Sequence, residues 1–90
     1  MKKKIVFLDR STFPKNINVP EIKFIHEWIN FDYTSPLQVV KRIKNANIIV
    51  TNKTELNKDN LSDAKKLELI AITATGTNII DLNYCKRRNI

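Results

Sequence analysis

The residues of this chain best suited to chemistry are Thr75, Gly76 and Thr77. They follow a run of apolar and β-branched residues, Leu67-Glu68-Leu69-Ile70-Ala71-Ile72-Thr73, and precede a helical pattern that begins near Asp81. Gly76 is the one glycine among 90 residues. A glycine used once marks a positive φ or a backbone that something must approach closely. Main-chain N–H groups in a turn ahead of a helix bind carboxylate or phosphate without a cationic side chain. In open α/β sheets ligands collect beyond the carboxyl ends of the strands, which is where this turn falls. Anion capture is one reading of these residues. The other is that Gly76 only makes the turn, and the residues alone leave both open.

Other chemistries find little support. The fingerprint G-x-G-x-x-G needs three glycines, so neither it nor a P-loop can be written in this chain. His26 has no carboxylate or serine partner in view, and a lone histidine of that kind is structural or exposed far more often than catalytic. Cys85 reads as a small hydrophobe facing the core of a short helix. Spacing suited to a metal ion is absent.

The elements that must position Thr75–Thr77 follow from hydropathy. Lys2–Asp9 reads as a first strand, because Ile5, Val6, Phe7 and Leu8 form the continuous apolar run of a strand buried on both faces. Ser11–Pro20 is a loop with room for a helical turn. Partial alternation predicts an edge strand near Lys23–Ile29. Ser35 and Pro36 make a helix start, as cap and first helical residue. Val39, Val40, Ile43 and Ala46 then form its apolar stripe. Ile48-Ile49-Val50 is a third strand, ending at Thr51-Asn52-Lys53. A short helix is expected around Asp59–Lys65, a fourth strand over Leu67–Thr73, and a last helix over Asp81–Arg88 with Leu82 and Cys85 inward. Asn89 stands where a left-handed capping residue belongs. The order β, β, α, β, α, β, α implies a parallel sheet with right-handed crossovers. The expected fold is α/β and flavodoxin-like: an open parallel sheet of strand order 2-1-3-4, lacking a fifth strand, with helices on both faces.

Ninety residues allow one domain with a modest core. One cysteine permits no internal disulfide and fits a reducing compartment. Met1-Lys2-Lys3-Lys4 resembles the front of a signal peptide, but the apolar part stops at Leu8 and Asp9-Arg10 follow. The expected location is cytoplasmic, with no membrane contact. A net charge of +7 raises nucleic acid as a partner. However, Lys41, Arg42 and Lys44, then Lys65 and Lys66, then Lys86, Arg87 and Arg88 gather at three helix ends, where cations complement the helix dipole. No nucleic acid is therefore expected.

Three segments carry a family resemblance: IVFLDRST near the start, NIIVTNKTEL in the middle, and LELIAITATGTNIIDL followed by CKRRNI. Together they resemble the N-terminal part of a D-2-hydroxyacid dehydrogenase, of the glycerate dehydrogenase or hydroxypyruvate reductase type. The resemblance spans nearly the whole chain. It implies that residues 1–90 are part of a substrate-binding domain, with the Rossmann nucleotide domain absent. It implies an oxidoreductase that moves a hydride between NAD or NADP and a small 2-oxo or 2-hydroxy acid, and a homodimer at full length. Residue by residue, Thr75, Gly76 and Thr77 match the loop that holds the substrate carboxylate, and Thr51 and Asn52 match a second loop lining the same pocket. Asp81 matches a structural acid at the last helix. The catalytic arginine, glutamate and histidine have no counterpart here. No catalytic residue is therefore assigned, and the chain alone is expected to bind no cofactor and to be inactive. Asn89 departs from the family's usual glycine. The competing reading is a free-standing basic α/β module for nucleic acid or an acidic partner.

Overall fold

The computed structural model describes residues 2–12, 26–73 and 79–90. Its core is a four-stranded parallel sheet of order β2-β1-β3-β4, formed by β1 (Lys3–Phe7), β2 (His26–Asn30), β3 (Ile48–Thr51) and β4 (Leu69–Ile72). The central pairing sets Ile5, Val6 and Phe7 beside Ile48, Ile49 and Val50. This is the expected order, and the continuous apolar runs explain it. A strand with both faces covered has no position for a polar side chain. Ile5, Val6, Phe7 and Leu8 are all fully buried, each contributing roughly 1.5–3 kcal/mol of transfer free energy.

Helix α1 (Pro36–Ile43) carries the chain from β2 across β1 to β3, α2 (Lys58–Leu61) links β3 to β4, and α3 (Leu82–Arg87) follows β4. Val39 and Ile43 of α1, Leu61 of α2 and Cys85 of α3 share one apolar cluster with Val6, Leu8 and Ile49. Strand alternation turns Ile5, Phe7 and Val50 to the opposite face, with Trp28 and Ala71 beside them. Helices were expected on both faces. Among the described residues all three pack on the face of Val6 and Ile49.

Local signals largely hold. Ser35 adopts the extended backbone of a cap residue, Pro36 opens α1, and the Gln38 side chain reaches back to accept from the Ser35 N–H at 3.0 Å. Asp81 caps α3 by accepting from the Tyr84 N–H at 3.0 Å. Asn89 sits at φ 58°, the left-handed cap its position demands. A 3-10 turn, Arg10–Thr12, leaves β1.

Four details differ. Helix α2 is one turn, Lys58–Leu61, because Asn57 caps it early and the Ser62 N–H closes on the Lys58 carbonyl. Strand β4 starts only at Leu69; Leu67 is buried ahead of it. Val40 is 36% exposed, since the seam of α1 against the sheet is only as wide as Val39 and Ile43. Leu82 is 55% exposed and shares an open groove of about 120 Å3 with Leu69, at the β4 side of the sheet.

Candidate functional site

Parallel strands deliver their carboxyl ends to one rim. Here β1 ends in Leu8-Asp9 and β3 ends in Thr51-Asn52-Lys53-Thr54. Asp9 is buried to 1% exposure directly after four apolar residues. Burying a carboxylate is costly unless donors surround it. The β3–α2 loop supplies them. The Asn52 N–H donates to Asp9 Oδ1 at 2.9 Å. Oδ2 accepts from the N–H groups of Lys53 at 2.7 Å and Thr54 at 2.8 Å, and from the Thr54 hydroxyl at 2.9 Å. The Thr51 hydroxyl lies 3.4 Å from the same oxygen. Three successive main-chain donors on one carboxylate form an anion nest whose anion is part of the chain.

The same loop grips both flanks of residues 74–78. The Thr73 N–H and hydroxyl donate to the Thr51 carbonyl at 3.0 and 3.4 Å. On the far side, the Leu56 N–H donates to the Ile79 carbonyl at 2.7 Å, and the Asp81 N–H donates to the Leu56 carbonyl at 3.0 Å. Leu56 and Ile80 make an isolated parallel bridge. Thr51 and Leu56 are therefore bonded to Thr73 ahead of residues 74–78 and to Ile79 and Asp81 after them. Thr75, Gly76 and Thr77 themselves lie outside the described residues.

Thr51 and Asn52 have defined surroundings. Thr51 is fully buried, and its hydroxyl donates to the Thr54 carbonyl at 3.1 Å besides approaching Asp9. The Asn52 amide donates to the Thr12 hydroxyl and carbonyl at 2.9 and 3.2 Å. Thr12 in turn donates through its hydroxyl to the Asp9 carbonyl at 2.7 Å. These side chains hold the rim together. Beside it, between the starts of α1 and α2, lies a cavity of about 310 Å3, whose walls include Asp9, Thr12, Tyr33, Lys53 and Thr54.

Sequence reasoning missed Asp9. The available signal was an acidic residue placed immediately after a fully buried strand, opposite a loop of small polar residues. Of the other candidates, His26 lies on edge strand β2 with its ring 6.3 Å from that of Trp28. Cys85 is buried on α3, and burial pushes its thiol above the usual range. Among the described residues no group of three His, Cys, Asp or Glu side chains could hold a metal ion. With a single glycine, these residues cannot carry the three-glycine Rossmann fingerprint for a pyrophosphate.

A family model described as D-isomer specific 2-hydroxyacid dehydrogenase, catalytic domain, matches residues 6–90. Over 79 residues the chain is 47% identical to a putative 2-hydroxyacid dehydrogenase of Haemophilus influenzae, covering 88% of this chain and 25% of that protein. It is 37% identical to a glycerate dehydrogenase of Methylorubrum extorquens, covering 100% of this chain and 28% of the relative. A hydroxypyruvate reductase of Blautia hydrogenotrophica is 31% identical, with 97% and 28% covered. The chain thus spans about a quarter of the length of these curated relatives. The backbone superimposes with a TM-score of 0.79 on the NAD+-bound 3-phosphoglycerate dehydrogenase of Entamoeba histolytica, covering all of this chain and 32% of that one at 18% identity, a likeness of fold. With the profile matched from Val6 to the last residue and the parallel sheet it requires in place, the chain belongs to the D-isomer specific 2-hydroxyacid dehydrogenase family, within its catalytic domain.

Proposed function

We propose that this chain supplies the substrate-holding rim of an NAD- or NADP-dependent D-2-hydroxyacid dehydrogenase. The substrate is a small 2-oxo or 2-hydroxy acid of the hydroxypyruvate and glycerate kind. In this reading the main-chain N–H groups of Thr75, Gly76 and Thr77 hold the acid's carboxylate. Thr51 and Asn52 shape the wall beside it, through the loop they brace. The observation that supports this most is the anchoring of Thr73 on one side of residues 74–78, and of Ile79 and Asp81 on the other, to the Asp9-pinned loop and the residues that follow it. Names of relatives supply the substrate class: one is a glycerate dehydrogenase, another a hydroxypyruvate reductase.

Hydride chemistry is assigned to groups outside residues 1–90. When bound, the nicotinamide cofactor supplies the hydride; the residues of this chain orient the acid and exclude water from its carboxylate. The chain by itself is accordingly inactive toward NADH. Backbone donors acting without a cation must compete with water for the acid, so its affinity is weak.

Two measurements test the reading. The purified chain is assayed for NADH oxidation with hydroxypyruvate or glyoxylate, and steady turnover would refute it. The matching quarter of the Haemophilus influenzae relative is then replaced by this chain. The chimera is expected to reduce the 2-oxo acids that the relative reduces, and Gly76→Val in it is expected to abolish binding of the acid. A folded chimera with no 2-oxo acid reductase activity, beside an active relative, would sink the proposal.

The alternative basic module has less support. Arg42 stacks 4.0 Å from the Phe31 ring centroid and donates to the Tyr33 carbonyl, and Arg88 donates to carbonyls at the end of α2. These cations are engaged with their own fold.

A further inference from the structure

We infer that Asp9 is the positioning residue for the acid-binding rim, an inference that rests on the dehydrogenase reading above. Its carboxylate meets the proposed substrate site only through Thr51 and Asn52, the wall residues whose loop it braces. It acts through the loop Thr51–Thr54, whose three main-chain N–H groups converge on it. The Thr51 carbonyl in turn holds Thr73, and Leu56, two residues past the loop, holds Ile79 and Asp81. The chain of contacts runs from a buried carboxylate just past the end of β1 to Thr73, Ile79 and Asp81, the residues that flank 74–78.

The grip is specific to a carboxylate in this place. Both oxygens accept, and their donors all come from Thr51–Thr54. An amide would set an NH2 against one or more of those N–H groups. With the grip gone, the loop loses its common acceptor, and Thr51 and Asn52, with the Thr73 bonded to Thr51, lose their fixed place. The carboxylate of the acid is held alike before and during hydride transfer, so loosening it removes uniform binding. The expected signature is a raised KM with little change in kcat.

The test uses Asp9→Asn and Thr54→Val, made both in the 90-residue chain and in the chimera that carries it. In the chain, hydrogen exchange is read at the N–H groups of Asn52, Lys53 and Thr54, with Ile49 as the internal reference. Faster exchange at the three loop positions with Ile49 unchanged shows the clamp. In the chimera, Asp9→Asn is expected to raise KM for the 2-oxo acid roughly tenfold or more, with kcat within about threefold. Thr54→Val, which removes one donor and leaves the carboxylate in place, is expected to shift KM in the same direction by less. Asp9→Glu, which keeps the charge, is expected to restore part of the loss.

A purely structural role would lower stability yet leave KM of the folded chimera untouched, and that result would overturn the inference. So would unchanged exchange at the three loop positions. Should Asp9→Asn fail to fold, Thr54→Val decides: an unchanged KM overturns the inference and a raised one supports it. If the unsubstituted chimera is inactive while the exchange pattern is as expected, the dehydrogenase reading has failed and the clamp has not.

Discussion

Asp9 and Thr54 meet twice: one carboxylate oxygen accepts from the Thr54 N–H at 2.8 Å and from its hydroxyl at 2.9 Å. The first contact fixes the backbone and the second fixes the side chain. Their energies should differ in kind. Thr54→Val removes one donor while Oδ2 keeps others, a loss of about 1 kcal/mol. Asp9→Ala takes the shared acceptor from the N–H groups of Asn52, Lys53 and Thr54, of which only Thr54 keeps another, the Thr51 hydroxyl, a loss of about 2–3 kcal/mol. Urea unfolding of the chain at constant m-value separates the two. Equal losses would mean that the carboxylate is not the hub.

The sheet could be read from sequence because its signal is local. Ile5–Leu8 and Ile48–Val50 are continuous apolar runs, and only a strand covered on both faces tolerates such a run at that length. Asn89 and Asp81 were readable for the same reason, since a cap is decided within one helical turn. Asp9 was not. Its burial depends on N–H groups 43, 44 and 45 residues away, and an acidic residue after a strand reads locally as a solvated turn. Leu82 misled for a different reason. It has helical spacing with Cys85, but α3 lies beside β4, where Leu69 is itself 52% exposed. Half of the apolar stripe has no sheet beneath it among the described residues. The sequence pointed to two loops, 51–52 and 75–77, of which the first falls among the described residues. What the sequence hid was the acidic side chain that braces one of them.

Arg88 is a cross-link rather than a partner of its own helix dipole. Its guanidinium donates to the Leu61 carbonyl at 2.7 Å, the Ala64 carbonyl at 2.8 Å and the Tyr84 hydroxyl at 3.0 Å. It thereby ties α3 to the end of α2. A planar fork is needed to reach two carbonyls at once. Arg88→Lys is expected to cost about 1–2 kcal/mol although the charge is kept. A denaturation midpoint unchanged from wild type would show that charge alone suffices.

Asn89 occupies φ 58°, a region that costs most L-residues roughly 1–2 kcal/mol. Its backbone lets the Ile90 N–H donate to the Cys85 carbonyl at 2.9 Å. Asn89→Gly should be neutral or stabilising by a few tenths of a kcal/mol, while Asn89→Ala should cost about 1 kcal/mol. Thermal unfolding of the pair gives the answer. If the alanine variant matched the glycine variant, the left-handed cap would carry no energetic weight.

Cys85 links burial to alkaline stability. Removal from water raises its thiol above the ordinary value of 9.0, the Asp81 carboxylate pushes the same way, and the Arg88 guanidinium pulls back in part. The unfolded chain therefore ionises this thiol first as pH rises. Between the unfolded and folded values the native state binds more protons, so stability falls with increasing pH. The contribution of Cys85 is fully present below about 9.0 and is lost as pH climbs through the folded value. Urea midpoints of wild type and Cys85→Ala, measured from neutral to alkaline pH, should converge in that window, because only wild type carries the loss. At neutral pH the native thiol should react with iodoacetamide at least roughly tenfold more slowly than in the unfolded chain, since the thiolate is the nucleophile and it is both scarce and enclosed. Parallel midpoint curves together with rapid alkylation would place the thiol in solvent, against its position in the α3 seam.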